Sequence, residues 1–140
     1  MSRFVVAVSR KWCVFLGALL AVALLTACGS PALETPESVV RSYIKAVAEN
    51  RAEDAIKYYS LKDIKESDLT AAKGKLMMIV GKQYSEIQRK GGLDSVSTSL
   101  VSEKDNIATV KLELKFKNGK TESNTMKLAK EDGKWKIRLK

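Results

Sequence analysis

Apolar residues recur at helical spacing in the segment that follows residue 35. Spacings of three and four predict a first helix with one buried face, formed by Val39, Val40, Tyr43, Ile44 and Val47. Thr35 is placed to cap this helix, and Pro36 suits its first position. Asn50-Arg51 then interrupts the pattern, so the helix is expected to end before it.

Two further helices are predicted before residue 91. The shorter one has an apolar side made of Ala52, Ala55, Ile56 and Tyr59. A turn or loop over residues 61–66 leads to Ser67-Asp68, which opens a longer helix that Gly91-Gly92 ends. The apolar stripe of the longer helix is Leu69, Ala72, Leu76, Ile79, Val80, Gln83 or Tyr84, and Ile87. Gly74 and Gly81 each cost it about 1 kcal/mol relative to alanine, which suggests a bend or close packing there.

The period changes to two after Gly92, which predicts four strands. Their apolar sides are Val96, Thr98 and Leu100, then Ala108, Val110, Leu112, Leu114 and Phe116, then Met126 and Leu128, then Trp135, Ile137 and Leu139. Asn118-Gly119 predicts a type I′ turn, and Glu131-Asp132-Gly133 predicts the last turn. Helices followed by hairpins predict an α+β fold, with three N-terminal helices packed on a curved four-stranded antiparallel β-meander.

The first 28 residues have the pattern of an export signal. Arg3, Arg10 and Lys11 precede a 14-residue apolar run, Trp12 to Leu25, which is shorter than the roughly 20 residues that span a bilayer. The next residues, Leu25-Thr26-Ala27-Cys28, resemble the lipobox of bacterial lipoproteins. An ordinary secretory signal cut after Ala27 and an uncleaved helix are the alternatives.

The lipobox resemblance implies that Cys28 carries a diacylglyceryl group and that cleavage before Cys28 makes it the mature N-terminus. Residues 1–27 would then be the removed signal peptide, 28–35 a lipidated tether and 36–140 a single domain. With Cys13 removed and Cys28 lipidated, the mature chain would have neither a free thiol nor a disulfide. The expected location is the bacterial cell envelope, and Gly29 after the acceptor favours an outer membrane where the organism has one.

Five short motifs resemble an uncharacterised family of bacterial lipoproteins with a nuclear-transport-factor-2-like, cystatin-like α+β cone. They are Thr35 to Val40, Asn50 to Ala55, Gly91-Gly92-Leu93, Lys117 to Lys120 and Lys130 to Ile137. The resemblance covers roughly residues 35–139. It implies a curved antiparallel sheet wrapped around helices, often with a pocket at the wide end of the cone.

The side chains available for catalysis and metal binding are few. The chain of 140 residues has no histidine, which excludes histidine-based acid–base and metal-ligand chemistry. Enzymes that share this cone, such as ketosteroid isomerases and polyketide cyclases, use a buried Asp or His with a Tyr or Asp oxyanion donor. The inward positions of the second and fourth strands are all apolar, and the third strand could turn Glu122 and Asn124 inward, both near its open end. We therefore expect no catalytic residue, no metal site and no cofactor.

Several large side chains are candidates for lining a pocket. They are Tyr43, Tyr59, Met77, Met78, Phe116 and Trp135. The alternative for each is an ordinary core position: the methionines would fill gaps where the third helix is sandwiched between the sheet and the first helix. The spacing does not separate a pocket that accepts a small apolar ligand from a filled core.

The positive charge is concentrated in the last strands. Residues 28–103 carry 11 basic and 11 acidic side chains, whereas residues 104–140 carry 11 and 5, within a total of +9 for the chain. Strand alternation places six basic residues on the solvent face, as one patch or two stripes: Lys111, Lys115, Lys117, Lys134, Lys136 and Arg138. They serve either solubility and protection of strand edges or attraction to anionic lipid, lipopolysaccharide or cell-wall polymer. Nucleic acid is not expected, because the face lacks interleaved aromatic residues.

The sequence as a whole predicts a membrane-anchored envelope lipoprotein. Its domain is expected to be a non-catalytic module that binds or scaffolds an anionic envelope component or a small ligand. A pocket enzyme of the same cone fold and a structural module that dimerises through its sheet are the alternatives. The sequence determines neither the ligand nor the oligomeric state.

Overall fold

A computed structural model describes residues 34–139, which form three helices followed by four strands. The helices are α1 (Pro36–Ala48), α2 (Ala52–Ile56) and α3 (Leu69–Arg89), with a 3₁₀ turn, Glu66–Asp68, before α3. The strands are β1 (Leu93–Lys104), β2 (Ile107–Phe116), β3 (Thr121–Glu131) and β4 (Lys134–Ile137). The predicted signal peptide, lipobox and Cys28 lie outside the described residues.

Helix α1 forms as its sequence predicts. The Thr35 hydroxyl accepts a hydrogen bond from the Ser38 amide at 3.2 Å, and the Ser38 hydroxyl accepts one from the Thr35 amide at 3.0 Å. This reciprocal capping satisfies two amides that would otherwise lack partners at the helix start. Asn50 then takes a positive φ of 56°, which ends the helical path before α2. The predicted cap, the first position at Pro36 and the break are all confirmed.

Helix α3 forms as predicted but buries less of its apolar stripe than expected. Leu76, Val80 and Ile87 are buried, whereas Ile79 is 45% exposed. The expected close packing at the two internal glycines is wrong, because a Cβ built at Gly74 or Gly81 meets no atom within 4 Å. The helix is therefore not sandwiched between the sheet and α1 along its length.

The four strands form one antiparallel sheet in the order β1-β2-β3-β4. Residues opposite each other share a face, so Ala108 with Leu128 and Leu128 with Ile137 mark the inner face. The predicted α+β architecture, with helices on one face of a four-stranded meander, is confirmed. Strand β4 ends at Ile137, and Leu139, expected on its apolar side, is 41% exposed.

The turns differ from the sequence expectation in one respect. Both residues of Asp105-Asn106 and of Asp132-Gly133 have positive φ, as a two-residue type I′ hairpin requires. At Asn118-Gly119 only Gly119 does, at 84°, and the Phe116 amide bonds the Lys120 carbonyl across a three-residue loop. The predicted type I′ turn at Asn118-Gly119 is therefore wrong, because the loop has one residue more than that turn contains.

The core lies between α1 and the inner face of the sheet. Its largest fully buried side chains are Tyr43, Phe116, Leu128, Val40, Val47, Val80 and Val110. Trp135 and Ile137 close it at β4, where the segment after α2 adds a parallel bridge from Tyr59 to Ile137. The open edge of the sheet is thus β1, while the β4 edge is partly covered.

Neither a spanning helix nor a ligand cluster for metal occurs in the described part of the chain. Between residues 34 and 139, no helix combines the length and hydropathy that crossing a bilayer requires. Over the same residues, no three side chains of the His, Cys, Asp and Glu types converge as metal ligands would.

Candidate functional site

A cavity of about 470 Å³ opens between α3, α1 and the inner face of β2 and β3. We call it the cone cavity, and its lining is Tyr43, Ile44, Val47, Lys82, Gln83, Glu86, Ile87, Lys90, Leu112, Leu114, Phe116, Glu122, Asn124 and Met126. Its size is within the range of small-molecule sites. The cavity exists because α3 packs on the other helices and leaves part of the inner face of β2 and β3 uncovered.

The sheet contributes both the apolar wall and two polar groups of the cone cavity. Leu112 and Leu114 of β2 lie opposite Asn124 and Glu122 of β3, so all four side chains share the inner face. The alternation of β3 thus turns Glu122 and Asn124 inward, as the sequence indicates. Met126 continues the same row toward the core.

A chain of hydrogen bonds at the cone cavity joins α1, α3 and the segment after α2. The Tyr43 hydroxyl donates to Gln83 Oε1 at 2.5 Å and lies 3.0 Å from the Tyr59 hydroxyl, which therefore donates to it. The two rings meet edge to face, with centroids 5.4 Å apart. The Tyr43 hydrogen is thus engaged, and among the described residues the Gln83 amide nitrogen has no protein partner.

The hydroxyls of Tyr43 and Tyr59, the two phenols in this chain of hydrogen bonds, stay protonated over the physiological range. Burial, followed by the neighbouring Tyr59, raises the pKa of Tyr43 far above its ordinary value. Burial likewise raises the pKa of Tyr59. A tyrosine held neutral in this way acts as a hydrogen-bonding support for Gln83 rather than as a base.

An ion pair stands at the rim of the cone cavity. Lys90, at the C-terminal end of α3, pairs with Glu122 of β3, and its ammonium lies 4.5 Å from the centroid of the Phe116 ring. The Lys90 side chain is only 17% exposed, so the pair is partly shielded from water. This contact ties the end of α3 to the sheet across the cavity.

The residues that the sequence suggested as pocket lining do not all meet in one place. Tyr43 and Phe116 face the cone cavity, and Tyr59 stands behind it, bonded to Tyr43. Trp135 is a core residue, 4% exposed, under Lys130. Met77 and Met78 do not line the cone cavity. Met77 is 40% exposed and lines a separate groove with Ile56 and Tyr59, whereas Met78 is 76% exposed, on the side of α3 opposite Leu76, Val80 and Ile87.

The predicted basic face forms two stripes. Lys111 and Lys115 belong to β2 and Lys117 follows it, whereas Lys134 and Lys136 belong to β4 and Arg138 follows it, with β3 between the two strands. Lys111 lies 3.3 Å from Glu113 and Lys115 lies 3.7 Å from Asp94. Lys136 donates to the Lys57 carbonyl at 2.6 Å. Half of the six cations thus already have partners within the domain, and their role toward an anionic surface stays a prediction.

Lys82 and Lys90 line the cone cavity but were not singled out from the sequence, because charged residues of an amphipathic helix usually face solvent. Gln83 interrupts the apolar stripe of α3 beside Tyr84, and that polar position in an apolar row was the available signal. These residues line the cavity only because tertiary packing places α3 opposite the inner face of the sheet.

The comparisons with known proteins agree with this geometry. Residues 26–138 match the family described as a domain of unknown function, DUF4878. The chain belongs to this family. The match spans most of the sequence and begins two residues before Cys28. No curated protein matches the chain.

Solved structures show the fold of this DUF4878 domain. A Campylobacter jejuni protein named as a candidate NTF2-like transpeptidase aligns with a TM-score of 0.71 and 22% identity, over 76% of this chain and 100% of its own. A de novo designed NTF2-fold protein aligns at 0.43 and 19%, over 74% and 81%. The first alignment shows an NTF2-like cone, as the sequence motifs indicated, and at this identity it shows the fold alone.

Proposed function

We propose that this DUF4878 domain is a binding module whose cone cavity holds a small ligand with an apolar body and a polar end. The observation that carries the proposal is the cavity of about 470 Å³, with an apolar sheet wall and polar groups grouped at the α3 side and the rim. Apolar surface with a few convergent polar groups is typical of small-molecule sites.

The lining divides into two parts that would hold the two ends of such a ligand. Leu112, Leu114 and Phe116 offer only hydrocarbon and an aromatic face to the apolar body. Gln83, with its oxygen engaged by Tyr43, offers amide hydrogens, and Asn124 offers both a donor and an acceptor. A ligand that met these groups would carry a carbonyl, carboxylate or hydroxyl at its polar end.

Binding is favoured over catalysis by the state of the ionisable groups. Tyr43 has a raised pKa and a committed hydrogen, and Glu122 is paired with Lys90. A transpeptidase, the activity suggested by the name of the Campylobacter jejuni protein, commonly needs a hydroxyl or thiol nucleophile. The described residues that line the cone cavity include no Ser, Thr or Cys. We therefore propose a non-catalytic role, with a pocket enzyme as the alternative.

The proposed location is the bacterial cell envelope, where the protein would be held on a membrane by a lipid anchor. It depends on lipidation of Cys28 after the Leu25-Thr26-Ala27 sequence, in a segment outside the described residues. Two or three acyl chains would hold the protein stably, since one chain alone binds only marginally. Replacement Cys28→Ser should abolish incorporation of radioactive palmitate, and persistent label would contradict the assignment of this residue.

The cavity hypothesis is tested by a pair of neighbouring substitutions on β3. Asn124→Phe places a large ring inside the cone cavity, whereas Ser123→Phe places the same ring on the opposite face of the sheet, beside Glu113. We expect binding of cis-parinaric acid, a fluorescent fatty acid, to be lost in Asn124→Phe and kept in Ser123→Phe. Native mass spectrometry of protein purified from the envelope should show a bound mass that Asn124→Phe lacks. Equal binding by both variants would place the ligand elsewhere.

A further inference from the structure

Helix α3 presents an unusual set of exposed apolar side chains. Met78 is 76% exposed and its neighbour Ile79 is 45% exposed, although both occupy the middle of a 21-residue helix. Leu139, far away in sequence, is 41% exposed. Exposed apolar groups that gather in one place commonly mark an interaction site.

The tertiary structure brings Ile79 and Leu139 into one groove. This C-terminal groove is lined by Tyr59, Ile79, Gln83, Thr125, Met126, Lys127, Ile137, Arg138 and Leu139. Its only charged members are Lys127 and Arg138, both cationic. An apolar strip bordered by cations thus runs between α3, the middle of β3 and the residues at and after the end of β4.

More cations flank the apolar residues on α3 itself. Lys75 lies three residues before Met78 and Lys82 four residues after it, so both share its side of the helix. Residues 69–85 of α3 include three lysines and no acidic residue. We call the set Met78, Ile79, Leu139, Lys75, Lys82, Lys127 and Arg138 the α3 patch.

Two glycines flank Met78 on the exposed side of α3. Gly74 and Gly81 lie four residues before and three after it, and a Cβ at either position would meet only open space. Each glycine weakens the helix by about 1 kcal/mol relative to alanine. The small residues leave the Met78 side chain projecting beyond its surroundings, between Lys75 and Lys82.

We propose that the α3 patch docks on an anionic lipid bilayer, with Met78, Ile79 and Leu139 inserted among the headgroups. A helix with apolar residues on one side and lysines beside them is suited to the bilayer interface, where its apolar face sits about 5–10 Å deep. Lysine and arginine near such a surface are attracted by its negative potential. The charge pattern argues against a second copy, because Lys75 and Lys82 would then face their own equivalents.

Docking is a property separate from the ligand of the cone cavity, although the two surfaces share α3. Gln83 lines both the cone cavity and the C-terminal groove. A docked α3 would therefore stand between the bilayer and the cavity. It would add to the proposed anchor at Cys28, which fixes the distance from the membrane but not the orientation of the domain.

The test measures how deeply single tryptophans enter the bilayer. The full chain carrying Met78→Trp is reconstituted in vesicles of phosphatidylethanolamine and phosphatidylglycerol that contain brominated acyl chains, which quench nearby indoles. Val101→Trp is the matched control, because Val101 is 61% exposed but lies on the edge strand β1. The unsubstituted chain, prepared in the same form, gives the background from its own tryptophans, of which Trp135 lies in the domain. Ile79→Trp serves as a second reporter.

We expect strong quenching of the indoles at positions 78 and 79 and none above background at position 101. Lys75→Glu together with Lys82→Glu should remove the quenching of Met78→Trp, as should phosphatidylcholine vesicles or 1 M salt, at which the Debye length is about 3 Å. Equal quenching at positions 78 and 101 would overturn the proposal. So would a spectral shift of Met78→Trp that depends on protein concentration without vesicles, since it would indicate contact between copies. Parinaric acid binding by Met78→Trp, whose substitution lies outside the cone cavity, separates this outcome from failure of the cavity hypothesis.

Discussion

Helices α1 and α3 have similar apolar stripes in the sequence but differ in how much of their surface the structure buries. Helix α1 buries seven of its 13 residues, and Val40, Tyr43 and Val47 have no exposed surface. Helix α3 has 21 residues and buries three of them. Periodicity alone predicts an amphipathic helix in both cases, so it does not separate a core helix from a cavity wall.

The difference follows from what each helix packs against. Helix α1 contacts the other two helices and the strands β1, β2 and β4. The principal contacts of α3 are with α1, α2 and the 3₁₀ turn that precedes it. Because α3 is held mainly by helices, it leaves a space over the sheet on one side and exposes Met78 on the other. We infer that α1 supplies much of the stability of the fold, whereas α3 forms one wall of the cone cavity.

The largest expected effect comes from placing one charge at matched positions of the two helices. Val40→Asp buries a carboxylate with no partner and should destabilise the fold by about 3–5 kcal/mol. Met78→Asp places the same group in solvent and should change the free energy of unfolding by less than about 0.5 kcal/mol. Urea denaturation followed by circular dichroism measures both. A large loss in Met78→Asp would show that the exposed side of α3 is structural.

The link between the two helices is tested at Tyr43. Tyr43→Phe keeps the ring but removes the hydroxyl that bonds Tyr59 and Gln83, and should cost about 1–2 kcal/mol. Tyr84→Phe, also on α3, is the control, because the Tyr84 hydroxyl has no hydrogen-bond partner among the described residues. Equal stability of the two variants by urea denaturation would mean that the Tyr43 chain does not hold α3 in place.

The same hydroxyl predicts a dependence of stability on pH. Burial raises the pKa of Tyr43 in the folded state, whereas an unfolded tyrosine titrates near pH 10. The folded state then keeps a proton that the unfolded state releases, so stability is complete below about pH 10 and falls as the pH rises further. Urea midpoints between pH 8 and pH 11 should fall less steeply in Tyr43→Phe. Tyr59, whose pKa is also raised, should retain part of the slope.

The smallest expected effect is a gain in stability on the open side of α3. Gly74→Ala and Gly81→Ala introduce a methyl group that meets nothing within 4 Å, and each should stabilise the fold by about 0.4–1 kcal/mol. Gly91→Ala is the contrasting control, since its φ of 84° is unfavourable for alanine and should make the variant less stable. Thermal unfolding of the three variants measures the difference. A loss of stability at position 74 or 81 would indicate packing on that side of the helix.

The sequence predicts most of the framework because the framework is local. The Thr35 cap, the break at Asn50 and the order of helices and strands depend on neighbouring residues, and all are confirmed. The turn at Asn118-Gly119 was assigned to the wrong type, because the register of β2 and β3 decides its length. The alternation of β3 also predicted that Glu122 and Asn124 point inward, but it could not show that α3 leaves a space above them.

The sequence by itself determined the α+β class and the antiparallel meander, since periodicity, caps and turn residues act over a few positions, and its short motifs indicated an NTF2-like cone. Only the tertiary structure decided which stripe is buried, where the cavity opens and which cations already have partners. The physical reason is that burial depends on how much surface the neighbouring elements cover. Residues such as Ile79 and Leu139, 60 positions apart in the chain, meet only when the sheet and α3 are packed together.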